Sequence, residues 1–429
     1  MVDRSVMPEI DHILVDRAPG QTRILLCAGD PAAHGAVVET LFDRCDFRNL
    51  TGSVHRVRLS IGHKVQNRAM ASLADGTAVS VRLGKRDNVG DGDLATITIM
   101  AAPRDGKPWQ AAIGARLSGN TLILLPDQSG VSTSRHLPAA ASDRLIQLVT
   151  ARLQAETENY GVILRRDAAN AEEPALMAEL DTLLADWSKR DDMSGVACLF
   201  DGGDLVERAK RMAPDAKLVE TACPDSASRF EDTWDQAMEL ATCPDVHLPD
   251  GGIIWIEPTR AVVALDLDGA SGSIDALLRD APQAIAAQLR LRASGGLVAI
   301  DVPRAAPAAM RQFSTKLAAA LADDPRHPEQ LGRTNGGLLE LRLPHGGPGP
   351  TDYIRNHDAG AALAALRNIF WRPQLARPHL YASQSVIDWL RGPGSQALAD
   401  LAAHLDRQIV LGVSSQGLVI RDGPVDVPG

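Results

Sequence analysis

Aromatic side chains are scarce in this chain: six Trp, six Phe and three Tyr make up 3% of its 429 residues. Leu, Val, Ile and Ala therefore have to fill the interior, and a surface that works by stacking rings has few residues to draw on. Cysteine is thin as well, with five residues (Cys27, Cys45, Cys198, Cys223, Cys243) that are odd in number and never spaced CxxC. That argues against a disulfide framework and a zinc knuckle, and favours a reducing, cytoplasmic setting. No apolar run reaches the roughly 18 residues of a membrane span, so no membrane partner is expected. The opening MVDRSVMPEIDHI has no hydrophobic stretch of the kind a signal peptide needs. Overall positive charge is missing too, since the net charge is −10.

What is present is globular in kind, with an apolar fraction of 45% and length for about two to four domains. The charge is unevenly spread. Residues 48–86 hold eight Lys/Arg and one acid, Asp75, whereas 172–250 hold nineteen Asp/Glu against seven Lys/Arg. A basic module on an acidic body can bind a polyanion, because the local field matters more than the total.

The pattern of apolar residues sketches the order of elements. Residues 12–15 and 23–27 read as strands joined by a turn at Ala18-Pro19-Gly20, and 36–41 completes a meander. Residues 54–59 alternate apolar and basic, and further strands are expected at 68–74, 78–83, 94–100 and 109–117. Five short strands in this span suggest a small barrel that binds single strands through a basic face. Only Trp109 is available there as a stacking ring, so a merely charged, solvated face is the competing reading. A strand at 120–126, a Ser/Gly loop at 129–134, a helix at 142–158 with Asp143 in its first turn, and a strand at 161–165 follow. That strand ends on Arg165-Arg166, either a phosphate grip or two solvated arginines. The spacing predicts further helices at 173–189, 204–212, 229–240, 305–321, 359–367, 385–390 and 395–405. Strands are expected at 195–200 and 337–343, with a closing strand pair at 408–413 and 417–421.

Residues 251–301 carry the clearest chemical signal. Two apolar strand-like runs, 261–265 and 297–300, each end on an aspartate, Asp266 and Asp301, with a helical segment of about a dozen residues and then Gly295-Gly296 between them. Carboxylates at the ends of neighbouring strands can converge on a magnesium ion, which prefers oxygen ligands and keeps several of its waters. Spacing alone leaves open a second reading, in which the two residues are ordinary punctuation of a βαβ unit.

The wording of this stretch adds to its spacing. IWIEPTRAVVALDLDG followed by IAAQLRLRASGGLVAID closely resembles the catalytic core of the ribonuclease E/G family, with its AIDVN strand, IARQLRLR helix, GG and IVID strand. GDGDLATITIMAAPRDGKPWQAAIGARLSGNTLILLP, GVILRRDA and TNGGLLELRLP resemble flanking segments of the same family, so the likeness runs over about 12–355.

The resemblance implies an α+β, multidomain chain. An RNase H-like subdomain (1–48 and 192–248) is interrupted by an OB-fold barrel (49–117) and a 5′-sensor (118–191). A DNase I-like catalytic subdomain (249–355) and a small C-terminal α/β domain (356–429) follow. It implies a magnesium-dependent endoribonuclease that cuts single-stranded RNA to 5′-phosphate and 3′-hydroxyl ends. Asp266 and Asp301 match the two metal-binding catalytic aspartates, and Asp268 takes the place of the Asn of AIDVN as a further metal-site residue. Lys107, with Arg56, Arg58 and Arg68, is expected to contact RNA, and Arg165 and Arg166 a 5′-phosphate, Arg166 replacing a threonine of the family. Met70 and Ser80 stand where the family has barrel aromatics. PHGGPGP replaces the cysteine motif CPxCxGxG, so zinc and a zinc-linked dimer or tetramer are not expected, and a monomer or weak oligomer is. The alternative is a weak or inactive paralogue that binds RNA without cutting it.

Overall fold

Short apolar runs in residues 12–44 produce three successive antiparallel strands, β1 (His12–Ala18), β2 (Gln21–Ala28) and β3 (Ala36–Arg44). The turn between the first two falls on Gly20, whose φ of 77° suits glycine. The structure is a computed structural model and describes residues 9–29, 36–62, 67–85, 87–104, 106–134, 137–190, 194–249, 251–269 and 273–424. Residues 1–8 of the amino-terminal reading, and Lys64 and Arg86 of the basic stretch, lie outside these. By contact the chain divides into a unit of 50–212 and a unit made of 1–49 with 213–429.

The inserted unit begins with β4 (Val54–Arg58), β5 (Arg68–Ser72), β6 (Ala78–Arg82), β7 (Leu94–Ala101) and β8 (Trp109–Ile113), all expected from alternation. They pair in the order β4-β7-β8-β6-β5, and a bridge from Ser60 to Met70 brings β5 back to the chain that leaves β4. The result is a barrel-like sheet with Val57, Ile97, Ile99, Ala111, Val79, Val81 and Ala69 buried on its inner face.

Next come β9 (Leu117–Ser118), β10 (Leu122–Leu125), β11 (Gly130–Thr133), α1 (Ala139–Leu153), β12 (Gly161–Leu164) and α2 (Glu173–Ser188). β11 was expected as loop; it is a strand because β12 offers it a parallel partner, a non-local pairing that local composition does not express. α1 starts at Ala139, ahead of the expected 142, so Asp143 lies in its second turn. α2 buries Leu176, Leu180, Leu183, Leu184 and Trp187, the stripe its spacing predicts. β13 (Ala197–Phe200) pairs with β4, and α3 (Leu205–Met212) ends the unit.

In the other unit, β14 (Lys217–Glu220) adds to β1 in parallel, and α4 (Pro224–Thr242) follows. The central sheet comprises β15 (Asp245–His247), β16 (Ile253–Pro258), β17 (Val262–Asp268), β18 (Gly296–Asp301), β19 (Glu329–Arg333) and β20 (Leu339–Leu343), in the order β15-β16-β17-β18-β20-β19. β17 and β18 are parallel, joined by α5 (Ile274–Leu291), and α6 (Pro307–Leu321) follows β18. Period-2 alternation separates the two faces. Ile254, Ile256, Val263, Leu265, Leu267, Val298, Ile300, Leu339 and Leu341 form one core with residues of α5 and α6, and the opposite face is open.

α5 runs longer than the dozen residues expected and contains Pro282. A proline costs its helix a hydrogen bond. Here Leu277, Leu278, Ala281, Ile285, Ala286 and Leu289 are buried along the same helix, and Ser273 accepts from the N–H of Ala276 at its start. That packing outweighs the loss.

The chain closes with α7 (Pro350–Ile354), α8 (His357–Phe370), β21 (Pro378–Ala382), α9 (Gln384–Arg391), α10 (Ser395–Leu405), β22 (Val410–Val413) and β23 (Val419–Asp422). The last two strands, expected as a pair, do not pair with each other. β21 lies between them, parallel to β22 and antiparallel to β23. Among the described residues no helix is long and apolar enough to cross a membrane.

Candidate functional site

The site is built on the open face of the central sheet. β17 buries Val263, Leu265 and Leu267 and sends Asp266 and Asp268 to the other side, both exposed. Because β17 and β18 are parallel, Asp266 pairs in register with Asp301. Adjacent strands lie about 4.8 Å apart, so both carboxylates leave one face side by side. Among the described residues neither has an ion-pair or hydrogen-bond partner; their charges are uncompensated by protein. Register extends this row in the other direction, since Trp255 on β16 faces Asp266, and Asp245 on β15 faces Trp255.

Asp268 lies on the same face two residues farther along β17, opposite Ile253, a rise of about 6.7 Å. Among the described residues no three or more His, Cys, Asp or Glu side chains gather as a metal cage. What is present is a pair. Two adjacent carboxylates fit an ion that takes one or two protein carboxylates and completes its shell with water and substrate phosphate.

The motif glycines and arginines have structural duties around the pair. A Cβ on Gly295 would sit 2.5 Å from Nδ1 of His345 and 2.9 Å from its Cα, so only glycine lets the chain after β20 pass there. Arg290 is buried and donates to Glu39 on β3 at 3.0 Å. Arg292 donates to the carbonyls of Leu240 and Cys243, 3.2 and 2.5 Å away, at the end of α4. Burial holds the Arg292 pKa below the usual guanidinium range. These arginines lock α5 in place and so set the height at which β18 presents Asp301.

The expected RNA contacts occupy the outer face of the barrel-like sheet. Arg56 and Arg58 alternate with buried Val57 on β4, and Arg58 donates to the carbonyl of Gly92 at 2.6 Å. Arg68 donates to the hydroxyl of Ser80 and the amide oxygen of Gln110, 2.9 and 2.6 Å away. Met70 is exposed and in register with Ser80, so the two replacements noted in sequence are cross-strand neighbours. Trp109 is 6% exposed on the inner face and cannot stack on a base. Lys107 is exposed in the turn before β8.

Arg165 and Arg166 are half-buried rather than projecting. Arg165 donates to the carbonyl of Gly119 at 2.7 Å, and Arg166 pairs with Asp167 at 3.4 Å. Part of their charge is already answered by the protein. A cleft of about 550 Å³ opens elsewhere, lined by His12, Lys217, Thr221, Arg229 and Asp232 among others, and none of Asp266, Asp268 or Asp301 lines it. The aspartate row is an exposed surface, the shape that suits a polymer rather than a small molecule.

The model of the ribonuclease E/G family matches residues 116–233 and 204–342, together a little over half of the chain. The chain belongs to the ribonuclease E/G family. Ribonuclease E of a Nostoc species is 22% identical over 289 residues, covering 57% of this chain and 42% of that protein. Ribonuclease E of a Synechocystis species is likewise 22% identical over 289 residues, with 57% and 43% covered. The Haemophilus influenzae ribonuclease E is 26% identical over 300 residues, with 60% and 32% covered. The chain thus spans less than half the length of these ribonuclease E relatives. Asp266, Asp268 and Asp301 fall inside the segment that matches the ribonuclease E/G model.

Proposed function

We propose that this chain is a magnesium-dependent endoribonuclease that hydrolyses single-stranded RNA, leaving 5′-phosphate and 3′-hydroxyl ends, in the cytoplasm. The in-register pairing of Asp266 with Asp301 inside the family-matched segment carries this reading. The two carboxylates would hold the ion, with Asp268 farther along the same strand available through water. Magnesium bound there supplies an acidified water and neutralises charge that develops on the phosphoryl oxygens. The protein's part is to hold the carboxylates side by side and to keep other cations of its own away, so that the phosphodiester competes with no internal partner. In this reading the barrel-like sheet is an OB-fold that grips RNA through Arg56, Arg58, Arg68 and Lys107. The 118–191 segment is a 5′-sensor whose Arg165 and Arg166 attract a 5′-phosphate by charge. The subdomains on either side are RNase H-like and DNase I-like, and the chain is a monomer or weak oligomer without zinc.

A second reading, an RNA-binding paralogue that does not cut, is favoured by the exposed Met70 and by the ion pair that engages Arg166. One assay separates the two. Fluorescent, 5′-monophosphorylated single-stranded RNA is incubated with the purified chain in magnesium and in EDTA, beside Asp266→Asn and Asp301→Asn. Hydrolysis is expected with magnesium only, and each substitution is expected to slow it by at least about a hundredfold. RNA left equally intact by all three proteins would reject hydrolysis.

A further inference from the structure

Trp255 is, among the described residues, the only exposed aromatic side chain: it is 39% exposed, whereas Trp109, Trp187, Trp234 and Trp389 are all under a tenth exposed. It stands in the aspartate row, one strand from Asp266 and two from Asp301, on the same open face. The neighbouring row on that face presents Glu257, Ala264 and Ala299, so the residues beside it on β17 and β18 are small. A ring is least expected here by composition, since the chain has few rings and buries or half-buries the rest.

We propose that Trp255 is a stacking platform for one base of the RNA, beside the phosphodiester held at Asp266 and Asp301. This rests on the RNA-hydrolase reading above and names a further binding residue for it. A row of carboxylates repels a polyanion everywhere except where a cation bridges the charges. The base is the uncharged part of a nucleotide and has a π-face, so it can lie against this surface at no charge penalty. With the phosphate drawn toward the aspartate pair, the base falls over the adjacent strand, where the ring is. Stacking of this kind is tolerant of sequence. It returns to the hydrolytic sheet the aromatic contact that Met70 and Ser80 no longer supply on the barrel-like sheet.

The test uses the full chain and a short single-stranded RNA. Binding is read by fluorescence anisotropy in an Asp301→Asn background, and cleavage is read in the otherwise unaltered chain. Trp255→Leu is expected to weaken binding by about ten- to a hundredfold and Trp255→Phe to restore most of it. A single abasic ribose moved along the RNA is expected to reproduce the loss at one position where Trp255 is kept in the Asp301→Asn background, and to cause no further loss there when Trp255→Leu is added. Should Trp255→Leu fail to fold, the abasic series in the Asp301→Asn chain decides alone. Unchanged binding in Trp255→Leu, or an abasic series without a sensitive position, overturns the platform. The two readings fail separately. Weakened binding without cleavage by any protein would retain Trp255 and reject hydrolysis, and cleavage with unaltered binding and KM in Trp255→Leu would do the reverse.

Discussion

Asp324 and Arg326 show how single residues fix the chain where it enters β18. Arg326 donates to both carboxylate oxygens of Asp324, at 3.0 and 2.6 Å, and to the carbonyls of Ser294 and Leu289 at the end of α5. Asp324 is 1% exposed. Burial by itself would raise its pKa, but the hydrogen bonds and charge of Arg326 prevail and hold it below the usual carboxylate range. A carboxyl whose folded pKa is depressed stabilises the fold above its unfolded pKa, and that contribution is lost as pH falls through the folded value. Urea unfolding followed against pH should therefore show stability that is flat in this respect above about pH 4 and falls below it. Asp324→Asn should lower the plateau and flatten the acid limb; an unchanged acid limb would assign the pH dependence to other groups. The aspartate pair itself was legible in the sequence, because each residue follows an apolar run that had to be a buried strand. Trp255 was not, since IIWIEP reads as one more apolar run and only the β16–β17 register shows which face its ring takes. The duties of Arg290 and Arg292 were equally hidden, because their partners, Glu39 and the end of α4, are distant in sequence.

At the scale of elements, the outer face of β5 and β6 is where the proposed RNA contact lacks a stacking ring. Met70 is 46% exposed beside Ser80 and is flanked by Arg68, whose guanidinium is already engaged by Ser80 and Gln110. Met70→Phe puts a ring on a pleated, exposed strand position that tolerates aromatics. It should tighten single-stranded RNA binding by about 1–3 kcal/mol, measured by anisotropy, with little change in the salt dependence because no charge is added. No gain would mean that RNA does not pass over this face. The strands of this sheet were readable because each alternates on its own, and α2 and α10 because their stripes are local. β21 was missed since its identity depends on two partners, one parallel and one antiparallel, and its five residues begin on a proline and include a histidine.

On the scale of the whole molecule, the unit of 50–212 is contiguous, whereas the other is assembled from segments on both sides of it. A buried ionic cluster joins those segments. Arg23 on β2 donates to Asp16 on β1 at 2.9 Å and to Glu231 on α4 at 2.7 Å, and lies over the rings of Phe230 and Trp234. Arg367 on α8 pairs with Glu231 and reaches to 3.6 Å from Asp16, which is fully buried. Two acids and two arginines, drawn from β1, β2, α4 and α8, balance in a setting where an uncompensated charge is expensive. Arg367→Met should therefore cost up to about 3 kcal/mol, because it leaves Asp16 and Glu231 to share Arg23 and one negative charge of the cluster uncompensated. Hydrogen exchange gives the loss a location: protection should fall in 12–28, 224–242 and 357–370 while 50–212 keeps its own. Combining Arg367→Met with Glu231→Gln restores the charge balance and should recover part of the protection. A uniform loss across both units would mean that they unfold as one, and no loss would mean that apolar packing, not this cluster, holds the three segments together.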